Sequence, residues 1–291
     1  MMIIKTNTPI FNNREIITTR ITDYWDKLSK GWQLIWGQHI HHGFYDQNTS
    51  ISPQEAQEIL IIKLAELLKI KPSYSILDVG CGLGGSSIYL AKHFNVNVTG
   101  ITLSTQQVAI AKQQAGKEQI NHVQFTINDA LSLANIANNS IDIVWSLESC
   151  EQFYDKNLFI QQAFRVLKPG GQLIIATWCS DQEQYQDTLA KKYLRLCNAF
   201  DLPYMPTISH YQQLLALNNF NINDVYDWSS QVKKSWEIGI SLINHYSLLQ
   251  IIKVSGFKGL KFVKQLKLMK EAFNQGSVKY GVFVATKPLS L

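Results

Sequence analysis

Short apolar runs alternate with amphipathic stretches through the middle of the chain. The strand-like runs are ILDVG (Ile76–Gly80), VNVTGI, HVQFTI, IDIVWSL and GQLIIATW. Between them, SSIYLAKHF, TQQVAIAKQQA and NLFIQQAFRVL have helical spacing, and the KPGG that follows the last of these predicts a helix stop and a turn. Because strands covered on both faces read as continuous apolar runs, the pattern predicts an α/β fold with a Rossmann-like, doubly wound, mostly parallel sheet.

The pattern changes on both sides of this core. Residues 1–70 have a mostly helical pattern, whereas FNINDVYDW and VKYGVFVAT predict two late strands separated by a helical region. We therefore expect an N-terminal helical lid or cap over residues 1–70 and a ligand-binding core over residues 71–180. Residues 181–291 should supply C-terminal helices, the last two strands and a cap over the substrate.

Composition sets limits on location and partners. Apolar residues make up 46% of the 291 residues, but no stretch approaches the roughly 20 apolar residues of a membrane span. The four cysteines are widely spaced without a CxxC pair, which predicts neither a disulfide framework nor a zinc ribbon. The N-terminus lacks signal-peptide and transit-peptide features, and the net charge of +5 comes from scattered lysines. We expect a soluble cytoplasmic protein that does not bind nucleic acid.

The turn after the first core strand, LDVGCGLGGSS, carries the most specific chemistry. Gly80, Gly82 and Gly85 fit the G-x-G-x-x-G pattern, which alone is a weak sign of nucleotide binding. A nicotinamide site also needs an acid about 20 residues further on to hold the ribose, and no Asp or Glu lies between residues 94 and 115. Asp78 at the strand end suits a positively charged ligand such as an ammonium or a sulfonium. The turn therefore favours a cationic ligand over NAD, with a ligand-free tight turn as the alternative.

Several motifs together resemble those of the class I S-adenosylmethionine-dependent methyltransferases. LDVGCGLGGSS is similar to their glycine loop, and LKPGG is similar to the turn before their fifth strand. IWGQHIHHGFYD, GITLS, VWSLESCEQFYDK and ATWC are similar to motifs of the gamma-tocopherol methyltransferases and their N-methylating relatives. The resemblance runs from Tyr24 almost to the C-terminus. It implies S-adenosylmethionine as cofactor, a small-molecule acceptor and no metal.

The resemblance also implies which residues hold the cofactor and which act on the acceptor. The expected cofactor residues are Asp78, Gly80, Cys81, Gly82, Thr102, Leu103, Gln107, Asp129, Ala130, Ser146 and Leu147. Glu148 and Glu151 follow the fourth core strand and would be catalytic. The tocopherol enzymes carry a His after the second acid, where this chain has Gln152, and this departure counts against a phenolic acceptor.

The segment WGQHIHHGFYD places His39, His41 and His42 within four positions. A metal site is not favoured, because adjacent side chains diverge on a strand or a helix and the segment contains no Cys. The histidines are then either held in a crowded loop or part of a lid that closes over the cofactor. The resemblance favours the lid, with His42 able to take the acceptor's proton. The expected lid and acceptor residues are Tyr24, Trp36, His41 and Tyr45.

The expected reaction is an in-line methyl transfer to an aromatic acceptor of the tocopherol or prenylated quinol type. The alternative is N-methylation of an indole-like or other amine-containing secondary metabolite, which needs less base and suits Gln152. Two other classes of function are disfavoured. The missing ribose acid counts against a nicotinamide oxidoreductase, and Glu148 and Glu151 count against a non-catalytic cofactor-binding module.

The C-terminal helical region is less specific. An apolar stripe from Phe262 to Phe273 has lysines on the opposite side, as in a helix packed on the domain with a solvated basic face. Peripheral contact with an anionic membrane, through which a lipidic substrate would arrive, is the second interpretation. Trp228, Trp236 and Tyr246 would either wall an aromatic pocket or pack in the core.

Overall fold

A computed structural model of the chain describes residues 2–45, 51–245 and 258–289, without the side chains of Asn244 and of residues 258–264. Its helices are α1 (Arg14–Trp36), α2 (Pro53–Glu66), α3 (Gly85–Phe94), α4 (Thr105–Lys117), α5 (Lys156–Val166), α6 (Asp187–Phe200), α7 (Ile208–Leu217), α8 (Ser229–Val232), α9 (Lys234–Asn244) and α10 (Lys258–Asn274). Its strands are β1 (Ile3–Lys5), β2 (Ser75–Val79), β3 (Asn97–Thr102), β4 (Val123–Ile127), β5 (Ile141–Leu147), β6 (Leu167–Ser180), β7 (Gln184–Gln186), β8 (Asn221–Asp227) and β9 (Val278–Thr286). A short 3-10 helix covers Cys150–Gln152.

Seven strands form one sheet in the order β4-β3-β2-β5-β6-β9-β8. The first five run parallel, and β9 is antiparallel to both of its neighbours. The strand order reverses between β2 and β5, which is where open α/β sheets bind ligands at the carboxyl ends of their strands. The predicted doubly wound, mostly parallel sheet is confirmed.

Both faces of the sheet are covered, which explains the continuous apolar runs. Ile76 of β2 belongs to a buried cluster with Leu64 of α2, on one face. Its neighbour Leu77 belongs to a cluster with Phe159 of α5, on the other face. Successive residues of a strand point to opposite faces, so both must be apolar here. Each such fully buried side chain contributes about 1.5–3 kcal/mol to folding.

The predicted turn at KPGG is instead the irregular beginning of β6. Gly170 has a φ of +78°, and its N–H donates to the carbonyl oxygen of Lys287. The pairing of β5 with β6 shifts register between Ile141 and Ile143. The glycine therefore bends the strand without ending it. By contrast, β5 and β9 have the bounds that their apolar runs predict.

A small antiparallel sheet of β1 and β7 joins the N-terminus to the segment after β6. The sequence predicted a mostly helical pattern for this N-terminal region, because strands of three residues are too short to show alternation. Among the described residues, no helix is both long and apolar enough to cross a bilayer.

Helix α1 packs against α4 and α9 and thereby reaches the carboxyl edge of the sheet. Its N-cap residue Asn13 accepts a hydrogen bond from the N–H of Ile16. Its Asp26 carboxylate accepts hydrogen bonds from the hydroxyl of Ser104 and the N–H of Gln106, at the N-terminus of α4. A carboxylate in this position is favoured by the α4 dipole. This contact fixes α1 beside the ends of the central strands.

Candidate active site

The carboxyl ends of the central parallel strands border a cavity that we call the glycine-loop cavity. Among its lining residues are Asp78, Gly80, Cys81, Gly82, Thr102, Leu103, Gln107, Asp129, Ala130, Leu147 and Glu148. These include every expected cofactor residue except Ser146. The Ser146 hydroxyl lies 2.9 Å from that of Ser149, which donates to the Val79 carbonyl oxygen at 2.6 Å. Ser146 therefore supports the end of β2 from behind the cavity wall.

The glycine loop is held by β3 and leaves room above it. The N–H groups of Gly80 and Cys81 both donate to the Ile101 carbonyl oxygen at 2.9 Å. A Cβ at Gly80 would lie 2.2 Å from the Ser149 Cβ, so close packing excludes a side chain there. A Cβ at Gly82, where φ is +54°, would meet no atom within 4 Å. The backbone at Gly82 is therefore open to a ligand.

Asp78 places a buried carboxyl group at the bottom of this loop. Its side chain is 2% exposed and accepts a hydrogen bond from the Ser87 hydroxyl at 2.6 Å. Burial raises its pKa to about 7, against the smaller opposing effect of that hydrogen bond. A positive charge in the cavity would favour the ionised form. The site thus fits a ligand that carries a sulfonium or an ammonium group.

The other expected cofactor positions lie further along the same cavity. The Thr102 hydroxyl donates to the Gln107 side chain at 2.7 Å, which ties the end of β3 to α4. Asp129, after β4, accepts from the Leu131 N–H at 2.8 Å and pairs with Arg14 of α1 at 2.5 Å. Both polar positions suit the hydroxyl and amino groups of a nucleoside. Sequence reasoning did not single out Arg14, which lies 115 residues from its partner.

A second cavity, which we call the aromatic cavity, adjoins the first. Its lining residues are Tyr24, Trp25, Trp32, Trp36, Ile40, His41, His42, Glu148, Glu151, Gln152, Trp178, Phe200, Leu202, Ser235, Trp236 and Leu266. Both cavities share Trp25, Ile40, His41, Glu148 and Gln152. Two ligands bound side by side would therefore meet at a common wall, as a transfer reaction requires.

Glu148 and His42 form a buried pair at this wall. Glu148 follows β5 with a φ of +49°. One of its oxygens accepts hydrogen bonds from the backbone N–H of His42 at 2.8 Å and from the Tyr280 hydroxyl at 2.9 Å. The other lies 2.7 Å from the His42 Nδ1. Burial would raise the pKa of Glu148, but the contacts with His42 together lower it below its usual value.

The remaining nitrogen of His42, Nε2, is buried and has no partner among the described residues. Because the ionised carboxylate accepts the Nδ1 proton, Nε2 carries the free lone pair of the neutral ring. The imidazole therefore has the arrangement of a general base.

Glu151 is the second acid of the aromatic cavity. Its Oε1 accepts a hydrogen bond from the backbone N–H of Trp178 at 3.2 Å, and its Oε2 has no partner among the described residues. Burial, and then the charge of Glu148, raise its pKa to about 8. The buried ammonium of Lys156 donates to the Glu151 and Phe153 carbonyl oxygens at 3.0 and 2.8 Å and holds this turn in place. At neutral pH Glu151 is therefore mostly a neutral acid that can donate a proton.

The three clustered histidines have separate environments. His39 lines only the glycine-loop cavity, where burial lowers its pKa to about 3. His41 lines both cavities, and its Nδ1 lies 2.8 Å from the His42 carbonyl oxygen. Gln57 donates to the carbonyl oxygens of His39 and His41 at 2.7 and 3.2 Å and fixes the segment. In the part of the chain that the structure describes, no group of three or more His, Cys, Asp or Glu is placed to hold a metal.

The four residues expected in a lid divide between the aromatic cavity and its surroundings. Tyr24, Trp36 and His41 line that cavity. Tyr45 lies outside both cavities, with its ring 5.3 Å from the Lys234 ammonium. Trp236 lines the cavity, whereas Trp228 packs against the ring of Phe44, and Tyr246 is outside the described residues.

Gln152, which replaces the expected histidine, is fixed inside the common wall. Its side-chain oxygen accepts from the Trp25 indole at 2.8 Å, and its nitrogen donates to the Phe200 carbonyl oxygen at 3.2 Å. Sequence reasoning missed Trp25, Trp178 and Phe200 as cavity residues. The only available signal was their aromatic character, which core packing explains equally well.

Comparisons with known proteins agree with this geometry. Residues 70–234 match the sequence family described as a methyltransferase domain. The chain is 32% identical to the chloroplastic tocopherol O-methyltransferase of Arabidopsis thaliana, over 94% of this chain and 84% of that protein. It is 32% identical to the 2-methyl-6-phytyl-1,4-hydroquinone methyltransferase of Synechocystis sp., over 88% of this chain and 83% of that protein.

More distant matches follow. The chain is 26% identical to the ajmaline N-methyltransferase of Rauvolfia serpentina, over 92% of this chain and 97% of that protein. The crystallographic neighbour cyclopropane synthase MmaA2 from Mycobacterium tuberculosis superposes with a TM-score of 0.81 at 19% identity, covering 93% of this chain and 98% of the other. At that identity the superposition supports the fold alone.

Proposed function

The chain belongs to the class I S-adenosylmethionine-dependent methyltransferases of the tocopherol methyltransferase type, and from this premise we propose that its acceptor is the phenolic ring of a tocopherol or a prenylated quinol. The observation that carries the proposal is the buried pair of Glu148 and His42 on the aromatic cavity. A phenol needs a base before its ring becomes a good nucleophile, and this pair provides one. The names of the two relatives at 32% identity support a phenolic acceptor.

The chain's own residues account for the activation of such an acceptor. Bound S-adenosylmethionine supplies an electrophilic methyl group. His42 Nε2 takes the phenolic proton, and the ionised Glu148 stabilises the imidazolium that results. The phenolate raises the electron density at the ring carbons next to its oxygen, and one of these carbons would take the methyl group as the sulfur–methyl bond breaks and S-adenosylhomocysteine is left as the product. His42 then returns its proton to the oxygen, and the freed imidazole takes the proton of the methylated carbon, so that the ring regains its aromaticity. His42 finally passes this proton to solvent, and one proton is released overall.

The walls of the aromatic cavity are largely apolar, which favours this chemistry. Trp32, Trp36 and Trp236 surround the acceptor with apolar rings. A dry cavity strengthens the attraction between the phenolate and the imidazolium. Trp25 and Gln152 fix the common wall by their mutual hydrogen bond and so limit the positions that the acceptor ring can take.

An amine acceptor is the second candidate. The 26% identity to an N-methyltransferase favours it, and so does a carboxylate set among aromatic rings, because such a site also attracts cations. An amine would need alignment more than deprotonation, so Glu148 would orient an N–H group in that case.

A labelling experiment separates the two candidates. The purified chain would be incubated with methyl-labelled S-adenosylmethionine and with gamma-tocopherol, 2-methyl-6-phytyl-1,4-hydroquinone or a panel of indole amines. We expect label in the phenols, located on a ring carbon by NMR, and equal rates with and without a metal chelator. Label in an indole amine with none in either phenol would reject the leading proposal in favour of the second.

Regional roles and location complete the proposal. We propose that residues 1–70 act as the lid, residues 71–180 as the cofactor-binding core and residues 181–291 as the substrate cap, because α1, α6, α9 and α10 all contribute walls to the aromatic cavity.

The proposed location is the cytoplasm, with at most peripheral membrane contact. The Arabidopsis relative is named as chloroplastic, so fractionation of the source cells is the appropriate test.

A further inference from the structure

Unpaired polar atoms cluster around the aromatic cavity. Among the described residues, five buried side-chain atoms without a hydrogen-bond partner belong to residues that line it. They are His41 Nε2, His42 Nε2, Glu151 Oε2, Trp178 Nε1 and Trp236 Nε1. Leaving a buried polar group unpaired costs about 1–3 kcal/mol. Such a concentration at one cavity indicates that a bound ligand supplies the partners.

Two of the five atoms can only donate. An indole N–H has no lone pair to offer, so Trp178 and Trp236 need an acceptor atom in the ligand. Their ring centroids are 5.6 Å apart, and they lie 6.0 and 4.8 Å from the centroid of His42. Both indole rings thus belong to the same small region as the proposed base. A ring whose hydroxyl reaches His42 would bring its other substituents close to these indoles.

The remaining tryptophans of the cavity do not share this property. Trp25 donates to Gln152, Trp32 donates to the Tyr24 hydroxyl, and Trp36 donates to the His41 carbonyl oxygen. Among the described tryptophans that line this cavity, an unpaired indole N–H therefore occurs only at two neighbouring rings. Outside the cavity, the buried indole N–H of Trp145 also has no partner among the described residues.

We propose that the indole N–H groups of Trp178 and Trp236 form a subsite for a second oxygen of the acceptor ring, so that the enzyme selects rings with two oxygens, such as quinols and chromanols, over monophenols. The inference rests on the proposed function, because it names the feature of the phenolic substrate that the cavity recognises. A site built to hydrogen-bond an oxygen rejects an analogue that lacks it, since its buried donors then stay unpaired. The same donors repel a protonated amine, which has no lone pair for them.

The test compares two acceptors in variants that lose one N–H. The acceptors are a prenylated hydroquinone and the matching prenylated monophenol without the second hydroxyl. Trp178→Phe and Trp236→Phe keep an aromatic ring but remove the donor. Trp32→Phe is the matched control, because Trp32 lines the same cavity and its N–H is already paired within the protein.

We expect wild type to prefer the hydroquinone in kcat/KM. Each of the two variants should reduce that preference about tenfold, as the loss of one buried hydrogen bond predicts. The reduction should come chiefly from a lower kcat/KM for the hydroquinone. Trp32→Phe should leave the preference unchanged. Replacing either tryptophan by benzothienylalanine, which has the indole shape without its N–H, repeats the test if the smaller phenylalanine disturbs folding.

Calorimetric titration with the same two acceptors measures their binding to the subsite in the absence of turnover. Methylation of both acceptors with an unchanged preference in both variants would overturn the subsite and leave the proposed function standing. No methylation of any phenol would overturn the proposed function. In that case, a binding preference for the hydroquinone over the monophenol that is lost in both variants but kept in Trp32→Phe would still support the subsite, and an equal binding preference in all of them would reject it.

Discussion

At the scale of single residues, the imidazole of His42 has one nitrogen bonded to Glu148 and another without a partner among the described residues. We expect His42→Ala to lower kcat for a phenolic acceptor by about 10²–10⁴-fold, the usual contribution of a general base. The affinity for S-adenosylmethionine should change less than about twofold, since His42 lines the aromatic cavity alone. Steady-state rates and calorimetry measure the two effects. His93→Ala, at an exposed surface histidine, is the control, and an equal loss in both variants would contradict the assignment.

The carboxyl group of Asp78 should make cofactor affinity depend on pH. Burial raises its pKa from 3.8 to about 7 in the folded protein, so the group is mostly neutral at pH 6 and mostly ionised at pH 8. A cationic ligand favours the ionised form, and its affinity should therefore rise between these values, by up to about tenfold. Calorimetry at both pH values gives the comparison. Asp78→Asn should bind more weakly and lose this rise. The ligand's own titration is common to both proteins, so an identical pH profile in the variant would refute the role of Asp78.

At the scale of secondary-structure elements, the loop between β2 and α3 offers a matched pair of glycines. Gly82 and Gly276 both have positive φ, and a Cβ at either would meet nothing within 4 Å. Replacement by Ala should cost each about 1–2 kcal/mol of stability from the left-handed backbone. Only Gly82→Ala should also weaken S-adenosylmethionine binding, by at least about tenfold, because its methyl group would occupy ligand space. Thermal unfolding and calorimetry on both variants check this. If Gly82→Ala binds S-adenosylmethionine as tightly as wild type does, the cofactor does not lie against Gly82.

Helix α1 is tied to the edge of the sheet that lines the glycine-loop cavity by the ion pair of Arg14 with Asp129. An ion pair this exposed contributes at most about 1 kcal/mol to folding, so Arg14→Ala should barely change Tm. We expect it to speed cofactor dissociation, because α1 then opens more readily. Stopped-flow measurement of the dissociation rate is the test. Lys27→Ala breaks an exposed pair with Asp23 on the same helix and should leave that rate unchanged.

At the scale of the whole molecule, Glu151 should make global stability fall with rising pH. Its pKa is raised from 4.5 to about 8 by burial and by Glu148. Between these values the unfolded chain has released the proton and the folded protein still holds it, so unfolding becomes more favourable as pH rises, by at most about 1.4 kcal/mol per pH unit. Glu151→Gln cannot ionise, and its Tm relative to wild type should be higher at pH 8 than at pH 5. Differential scanning calorimetry at the two pH values measures this, and a constant difference would contradict the buried neutral acid.

Much of the fold follows from sequence pattern because its strands are buried on both faces. The runs IDIVWSL and VKYGVFVAT needed no tertiary information to be assigned as β5 and β9. The residues that line the glycine-loop cavity could also be predicted, since the carboxyl ends of parallel strands meet at one edge and motifs mark those ends. Gly170 shows the limit of local signals. Its positive φ is typical of a turn, but the residue lies inside β6.

The acceptor side depends on packing between segments that are far apart in the chain. Trp25 meets Gln152 across 127 residues, and His42 meets Glu148 across 106. No periodicity or spacing encodes such pairs, since each depends on how α1 and the segment after it lie on the finished sheet. The same is true of Trp178 and Trp236. That their indole N–H groups have no partner can be recognised only from the hydrogen bonds of the folded protein.

The wall that the two cavities have in common also bears on the order of events in a catalytic cycle. Trp25 of α1 borders both cavities, so a displacement of this helix that admits one ligand also opens the enclosure of the other. Independent, random exchange of two ligands would require two separate openings. We expect an ordered sequence instead, in which the nucleoside ligand is seated before the aromatic one and each product waits for α1 to move. The turnover rate would then be governed by the motion of one helix rather than by the breaking of the carbon–sulfur bond.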